Sequence, residues 1–216
     1  MPEVNLLNRY PKSIRNIKAR IANKEENRVL AMQFGIEYFD GTREQGYGGF
    51  KYDGRWIPVA EDIVRHYNLK AGSKVLDIGC AKGFLVKDLL IVCPGLDVFG
   101  IDISKYAIAN CEKEVIGRLH VGDARSLPFP DKSFDLAISI NTIHNLERSD
   151  CINALMEMSR IAPLGGYVQV DAYRSVEEEK IFLDWVLTAK THGTPDFWKD
   201  VLSCAKYQGD YYWTFL

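Results

Sequence analysis

Val75 to Phe84 reads VLDIGCAKGF, and this stretch decides the fold. Its first half, from Lys74 to Ile78, is a short apolar run of the kind that forms a strand buried on both faces. Its second half places small residues at Gly79, Ala81 and Gly83, after which an apolar helix begins. A strand breaking into such a turn brings backbone N–H groups and a helix N-terminus close to whatever binds there. Asp77 stands at the carboxyl end of the strand, where open α/β sheets take their ligands.

Downstream, strand and helix patterns alternate. Asp97 to Ile101 predicts a second strand ending in Asp102, with Ser104 as N-cap of a helix running to about Val115. Leu119 and Val121 mark a third strand ending in Gly122-Asp123, and Phe134 to Ile140 a fourth. Asp150 to Ile161 is helical by its apolar spacing, and Tyr167 to Val170 is a fifth strand ending in Asp171. Ser175 with Glu178 forms a capping-box pattern, Pro195 opens a last helix, and Tyr211 to Leu216 reads as an aromatic strand. Repeated βαβ units imply an α/β fold: a doubly wound, mostly parallel sheet with helices on both faces.

Residues 1–57 lie outside this alternation and predict an N-terminal helical cap, leaving 58–216 as the Rossmann-like domain. Ile14, Ile17 and Ile21 recur at helical spacing, and Asn23 with Glu26 resembles a capping box for a second helix through Val29, Leu30 and Phe34. The next stretch combines five glycines with Tyr47, Phe50, Tyr52 and Trp56. It is either a surface loop whose aromatics pack on the domain edge or a lid over a bound molecule.

Hydrophobic residues make up 47% of the 216 and charged residues 26%, so a sizeable core can form. A formal net charge of −2 disfavours nucleic acid and acidic membrane as partners. The five cysteines are scattered and never in a C-x-x-C spacing, which argues against a disulfide framework and a zinc site, so no metal is expected. No stretch has signal-peptide or membrane-span character, and a cytoplasmic location follows as the expectation. Oligomeric state is left open.

Asp77, Asp102, Asp123 and Asp171 all fall at strand ends, on one edge of a parallel sheet. Singly each could cap a loop; together, beside a glycine turn, they point to a nucleoside-bearing ligand. Dinucleotide sites place a third glycine five residues after the first. Here that position is Phe84, and the small residues fall at 79, 81 and 83 instead.

With these motifs in order, the sequence resembles the class I S-adenosylmethionine-dependent methyltransferases from about Ile57 to Asp171. VLDIGCAKGF looks like their glycine motif, GIDIS (Gly100 to Ser104) like their acidic second-strand motif. GDARSLPFPDKSFDLAISI (Gly122 to Ile140) looks like their adenine-contact loop and fourth strand. Ala81 replaces the usual middle glycine, and the C-terminal strand pair of the family is only partly visible. The resemblance implies S-adenosyl-L-methionine as cofactor. Asp77 and Gly79 would hold its methionine amino end, and Gly83 would let the backbone approach. Asp102 would take the ribose hydroxyls, with Ile103 against the adenine. Asp123 would accept from the adenine amino group beside Ala124, and Asn141 would lie near the transferred methyl.

A hydroxyl or ammonium acceptor needs a general base, and His144 after the fourth strand is the candidate, unless it only fixes its loop. Asp171, Tyr173 and Arg174 could orient a polar or anionic substrate or merely cap the next helix. Tyr47, Tyr52 and Trp56 are the lid candidates. The sequence after the fourth strand, NTIH, lacks the Asn-Pro-Pro-aromatic signature of amide and base methylation. The expected function is methyl transfer to an O or N atom of a small polar molecule. The alternatives are a nicotinamide-dependent oxidoreductase and a non-catalytic S-adenosylmethionine-binding protein.

Overall fold

In the computed structural model, residues 2–12 and 15–215 are described. The apolar run after Ser73 forms β1 (Lys74–Ile78), whose residues from Val75 onward are buried, so helices cover both its faces. Around it lie β2 (Asp97–Asp102), β3 (Leu119–Val121), β4 (Leu136–Ile140), β5 (Gly166–Asp171) and β6 (Asp210–Thr214). The sheet order is β3-β2-β1-β4-β5-β6, and every neighbouring pair is parallel. Order reverses at β1, which pairs with β2 on one side and β4 on the other. That switch opens a crevice beyond the carboxyl ends of these strands.

On one face, α4 (Ile57–His66) and α5 (Phe84–Val92) bury Ile63, Val86 and Leu89 against Val75, Leu136 and Ile138. On the other, α7 (Arg148–Ile161) and α9 (Pro195–Cys204) bury Leu155, Met158, Trp198 and Val201 against Leu76, Ala137 and Val168. The remaining helices of the sheet domain, α6 (Lys105–Ala109) and α8 (Val176–Trp185), begin at side-chain caps. Ser104 Oγ accepts from the Ala107 N–H at 2.9 Å and Ser175 Oγ from the Glu178 N–H at 3.3 Å. The α6 helix stops at Ala109, well short of Val115, where only a 3₁₀ turn (Lys113–Val115) follows.

The cap is built from three short helices, α1 (Ile17–Ile21), α2 (Lys24–Ala31) and α3 (Ile36–Asp40). Ile14 and Leu216, part of the expected first helix and last strand, lie outside the described residues. Two expectations for this region are corrected. Asn23 precedes α2 but its side chain makes no capping bond, and α2 ends at Ala31 because Phe34 turns the chain with φ of 47°. The third helix, α3, follows Gly35 inside a segment whose five residues are too few for a periodic signal.

The outer edge of β6 meets the N-terminal segment, where Glu3 and Tyr211 form a parallel bridge. The Val4 N–H donates to the Tyr211 carbonyl at 2.9 Å and the Tyr211 N–H to the Pro2 carbonyl at 3.2 Å. The first residues of the chain thus cover an edge of β6 that would otherwise expose unpaired backbone groups.

Candidate functional site

The turn after β1 is bent by backbone conformation. Gly79, Ala81 and Gly83 all have positive φ, at 82°, 50° and 78°. The Gly79 N–H donates to the Ile101 carbonyl at 2.7 Å, fixing the turn to the end of β2. A Cβ on Gly79 would lie 2.0 Å from Thr142 Oγ1, so glycine here lets the β1 and β4 loops meet. Gly83 serves another purpose. Its absent Cβ leaves room for Leu119 and Val115, and it does not line the cavity beside the turn. Phe84, where a dinucleotide site wants glycine, is buried and stacks on Phe50 with ring centroids 4.4 Å apart.

That cavity, of about 400 Å³, lies at the switch point. Gly79, Ala81, Asp102, Ile103, Asp123 and Ala124 line it from the sheet side, with Asn141 and Asn145 from the loop after β4. Asp102 accepts from the Ala81 N–H and from the Ser104 N–H, each at 2.8 Å, so one carboxylate holds two loops. Asp123 accepts from the Arg125 N–H at 2.9 Å and from its guanidinium, which holds its carboxyl below the usual carboxylate range. Asn145 Oδ1 is buried with no partner among the described residues.

Asp77 is placed behind the cavity wall, 5% exposed and outside the lining. Burial, with a contribution from the charge of Asp102, pushes its carboxyl up from 3.8 to about 7. The native state therefore retains this proton between those values while the unfolded chain releases it. Stability falls as pH rises through that window, by up to about 4 kcal/mol. Asp77→Asn is expected to flatten the profile. Urea unfolding of the cofactor-free protein across that pH range checks this, and a wild-type slope in the variant would refute it.

A second cavity of about 180 Å³ adjoins the first and shares Tyr38, Tyr47 and Asn141 with it. His144 and Asp171, the expected base and its neighbour, both line this one. His144 Nδ1 accepts from the Asp171 N–H at 3.3 Å and stands 3.6 Å from Asp171 Oδ2. Burial lowers the pKa of His144 and raises that of Asp171, so the imidazole is neutral at pH 7. Asn141, at φ of 50°, is steadied by Thr214 Oγ1, which donates to its Oδ1 at 3.2 Å.

The other expected site residues lie elsewhere. Tyr52 donates to Asp88 at 2.5 Å, Trp56 packs against Tyr10, and Tyr173 donates to Glu179 at 2.9 Å. Arg174 pairs with Glu178. None of these four lines either cavity.

The cap covers both cavities instead. Phe34, Tyr38, Phe39 and Tyr47 line the larger one, with Phe39 only 2% exposed among their rings. Three tethers hold it down: Lys82 Nζ donates to both Asp40 oxygens at 2.7 Å, Tyr106 to Asp40 at 2.6 Å, and Ser104 to the Phe34 carbonyl at 2.6 Å. Lys82 is nearly buried, and removing its partner strands the charge. Asp40→Ala is thus expected to weaken S-adenosylhomocysteine binding about tenfold, measured by calorimetry. Unchanged affinity would mean that the Asp40 tether does not hold the cap over the larger cavity.

Residues 76–170 match the family described as Methyltransferase domain. Over these residues the chain is similar to the class I S-adenosylmethionine-dependent methyltransferases. A demethylmenaquinone methyltransferase of Anoxybacillus flavithermus is 32% identical over 121 residues, covering 53% of this chain and 50% of the relative. A fatty-acid O-methyltransferase of Mycolicibacterium smegmatis is 33% identical over 126 residues, covering 51% of this chain and 45% of the relative. The chain spans about half the length of the curated relatives it matches. A chain of the solved complex between the Haloferax volcanii Trm112 methyltransferase activator and the putative methyltransferase shares the fold, with a TM-score of 0.55 at 19% identity. That match covers 89% of this chain and 77% of that one.

Proposed function

We propose that this chain is an S-adenosylmethionine-dependent methyltransferase acting on an O or N atom of a small polar molecule, such as a sugar or metabolite intermediate. One observation carries the reading: the glycine turn, Asp102 and Asp123 face one cavity, and a second cavity with His144 and Asp171 opens from it.

The donor set suits the cofactor. Asp102 has lone pairs beyond those engaged by Ala81 and Ser104 for ribose hydroxyls, and Asp123 is an ionised acceptor for an adenine amino group. Ile103, 55% exposed, offers an apolar face to the base. Asn145 Oδ1 supplies a buried acceptor still lacking a donor. When bound, the cofactor supplies a methyl already activated by the sulfonium charge. The chain's own part is placement and exclusion of water. Asn141, Tyr38 and Tyr47, on the wall common to both cavities, stand where an acceptor would be aligned. His144, uncharged, receives the proton released by a hydroxyl or ammonium acceptor at Nδ1, whose lone pair then gives up the 3.3 Å bond from the Asp171 N–H.

Named relatives act on a quinone precursor, a fatty acid, a sterol and a tRNA, so acceptor identity does not follow from likeness. The modest net charge and the small second cavity favour a small molecule over RNA. Among the described residues no helix is long and apolar enough to cross a membrane. All five cysteines are free thiols, which supports a reducing compartment, the cytoplasm. Labelled S-adenosylmethionine incubated with the enzyme and a metabolite extract is expected to label one or a few small compounds. Labelling of RNA alone, or of nothing, would defeat the reading.

A further inference from the structure

The smaller cavity carries a charge pattern that its assignment as an acceptor site does not by itself explain. Arg15, Arg20 and Arg43 all line it, and all three guanidinium groups gather around one ring. Their Cζ atoms lie 5.8, 4.1 and 5.0 Å from the centroid of Trp185. Eight other arginines of the chain make ion pairs with carboxylates. Among the described residues these three make none. Arg20, 4% exposed, donates only to the carbonyls of Glu44 and Gly46, at 3.1 and 3.3 Å, and its Nε is buried without a partner. Arg43 likewise donates to the carbonyls of Gly46 and Tyr47, at 3.0 and 3.3 Å.

Burial and the neighbouring charge of Arg43 push the Arg20 guanidinium down to about 10, and burial lowers Arg15 as well. Arg20 and Arg15 thus bear a desolvation cost that no ion pair offsets, and the like charge of Arg43 adds to it. The ring of Trp185 compensates in part, since cations are drawn to its face. Asp171, whose field reaches Arg15, is occupied beside His144. A planar guanidinium with free N–H donors is the side chain best matched to a carboxylate or phosphate.

We propose that this cavity is an oxyanion subsite and that the methyl acceptor is a small anion, held by a carboxylate or phosphate against Arg15, Arg20 and Arg43. The inference rests on the methyltransferase reading and narrows its substrate class. The anchored group is not the methyl-receiving one, because an oxygen paired with guanidinium is a weakened nucleophile. The receiving atom is a second group of the same molecule, on the wall shared with the cofactor cavity. A cationic acceptor is disfavoured by three positive charges.

The test uses the full chain saturated with S-adenosylhomocysteine and titrated with inorganic phosphate and with succinate at constant ionic strength. Binding is followed by tryptophan fluorescence, with Trp185→Phe as the signal control. Wild type is expected to give a saturable response. Arg43→Gln, at the exposed mouth of the cluster, is expected to weaken it about tenfold or more while changing S-adenosylhomocysteine affinity less than about threefold. Arg15→Gln serves as a second variant should the first fail to fold. No saturable response to either anion in wild type overturns the proposal. So does an equal loss of S-adenosylhomocysteine affinity in the variants, which would assign the arginines to the cofactor's own carboxylate. Failure of wild type to bind S-adenosylhomocysteine at all would instead strike the methyltransferase reading.

Discussion

Replacing Asp102 with asparagine is expected to weaken S-adenosylhomocysteine binding by about 100-fold or more, although the two side chains have nearly the same shape. Each oxygen of the carboxylate accepts a backbone N–H at 2.8 Å, one from Ala81 in the glycine turn and one from Ser104 at the start of α6. An amide must turn its NH₂ toward one of these donors. Donor then faces donor in a partly buried site, and one loop loses its tether. A buried unsatisfied donor costs about 1–3 kcal/mol, and the loss of charge-assisted bonds to the ribose adds a similar amount. Asp102→Ala should bind no better, since it abolishes both tethers. Calorimetry with S-adenosylhomocysteine decides the matter, with circular dichroism to show that the sheet persists. An asparagine variant within a few-fold of wild type would remove Asp102 from the ribose site.

The second large effect is expected at Gly79. A methyl group there would meet Thr142 Oγ1 at 2.0 Å, Cγ2 at 2.3 Å and Cβ at 2.6 Å, far inside van der Waals contact. Thr142 cannot turn away freely. It is β-branched, its hydroxyl donates to the Ile140 carbonyl at 3.1 Å, and it opens the 3₁₀ turn (Ile143–Asn145) that carries His144. The left-handed φ of 82° adds about 1 kcal/mol for any residue with a Cβ. Gly79→Ala should therefore push the β1 and β4 loops apart, with cofactor affinity reduced about 100-fold or more. The companion Thr142→Gly relieves the clash but not the φ penalty. The double variant is expected to regain most of the lost affinity. If it does not, the glycine is required for direct approach of the ligand and not for the loop contact.

How far the sequence reaches can be judged from particular residues. The β1 to β5 alternation is legible because a strand buried on both faces must be continuously apolar, whatever its neighbours. Ser104 and Ser175 are legible as caps because a cap bond spans only three residues. The acids at strand ends are legible as sharing one sheet edge because parallel strands all present their carboxyl ends on the same side. Asp102, Asp123, Gly79 and Asn141 line the expected cavity on that account. Gly83 does not, because glycine motifs report a backbone need and not its cause, and here the causes are a left-handed φ of 78° and the closeness of Leu119.

What the sequence could not convey lies in the cap. The aromatic stretch around Tyr47 and Phe50 reads equally as loop or lid, and the ion pair of Lys82 with Asp40, 42 residues apart, settles where it sits. Arg15, Arg20 and Arg43 carry no periodic or motif signal, and Trp185 lies more than a hundred residues beyond them. Arg174, the arginine beside the sheet edge in sequence, is taken up by Glu178. The sequence by itself determined the parallel sheet, its glycine turn and the row of acids, because hydrophobic period and backbone conformation act between near neighbours. Only the tertiary structure decided which cations meet which cavity, because burial and charge act through space, between residues that chain order keeps apart.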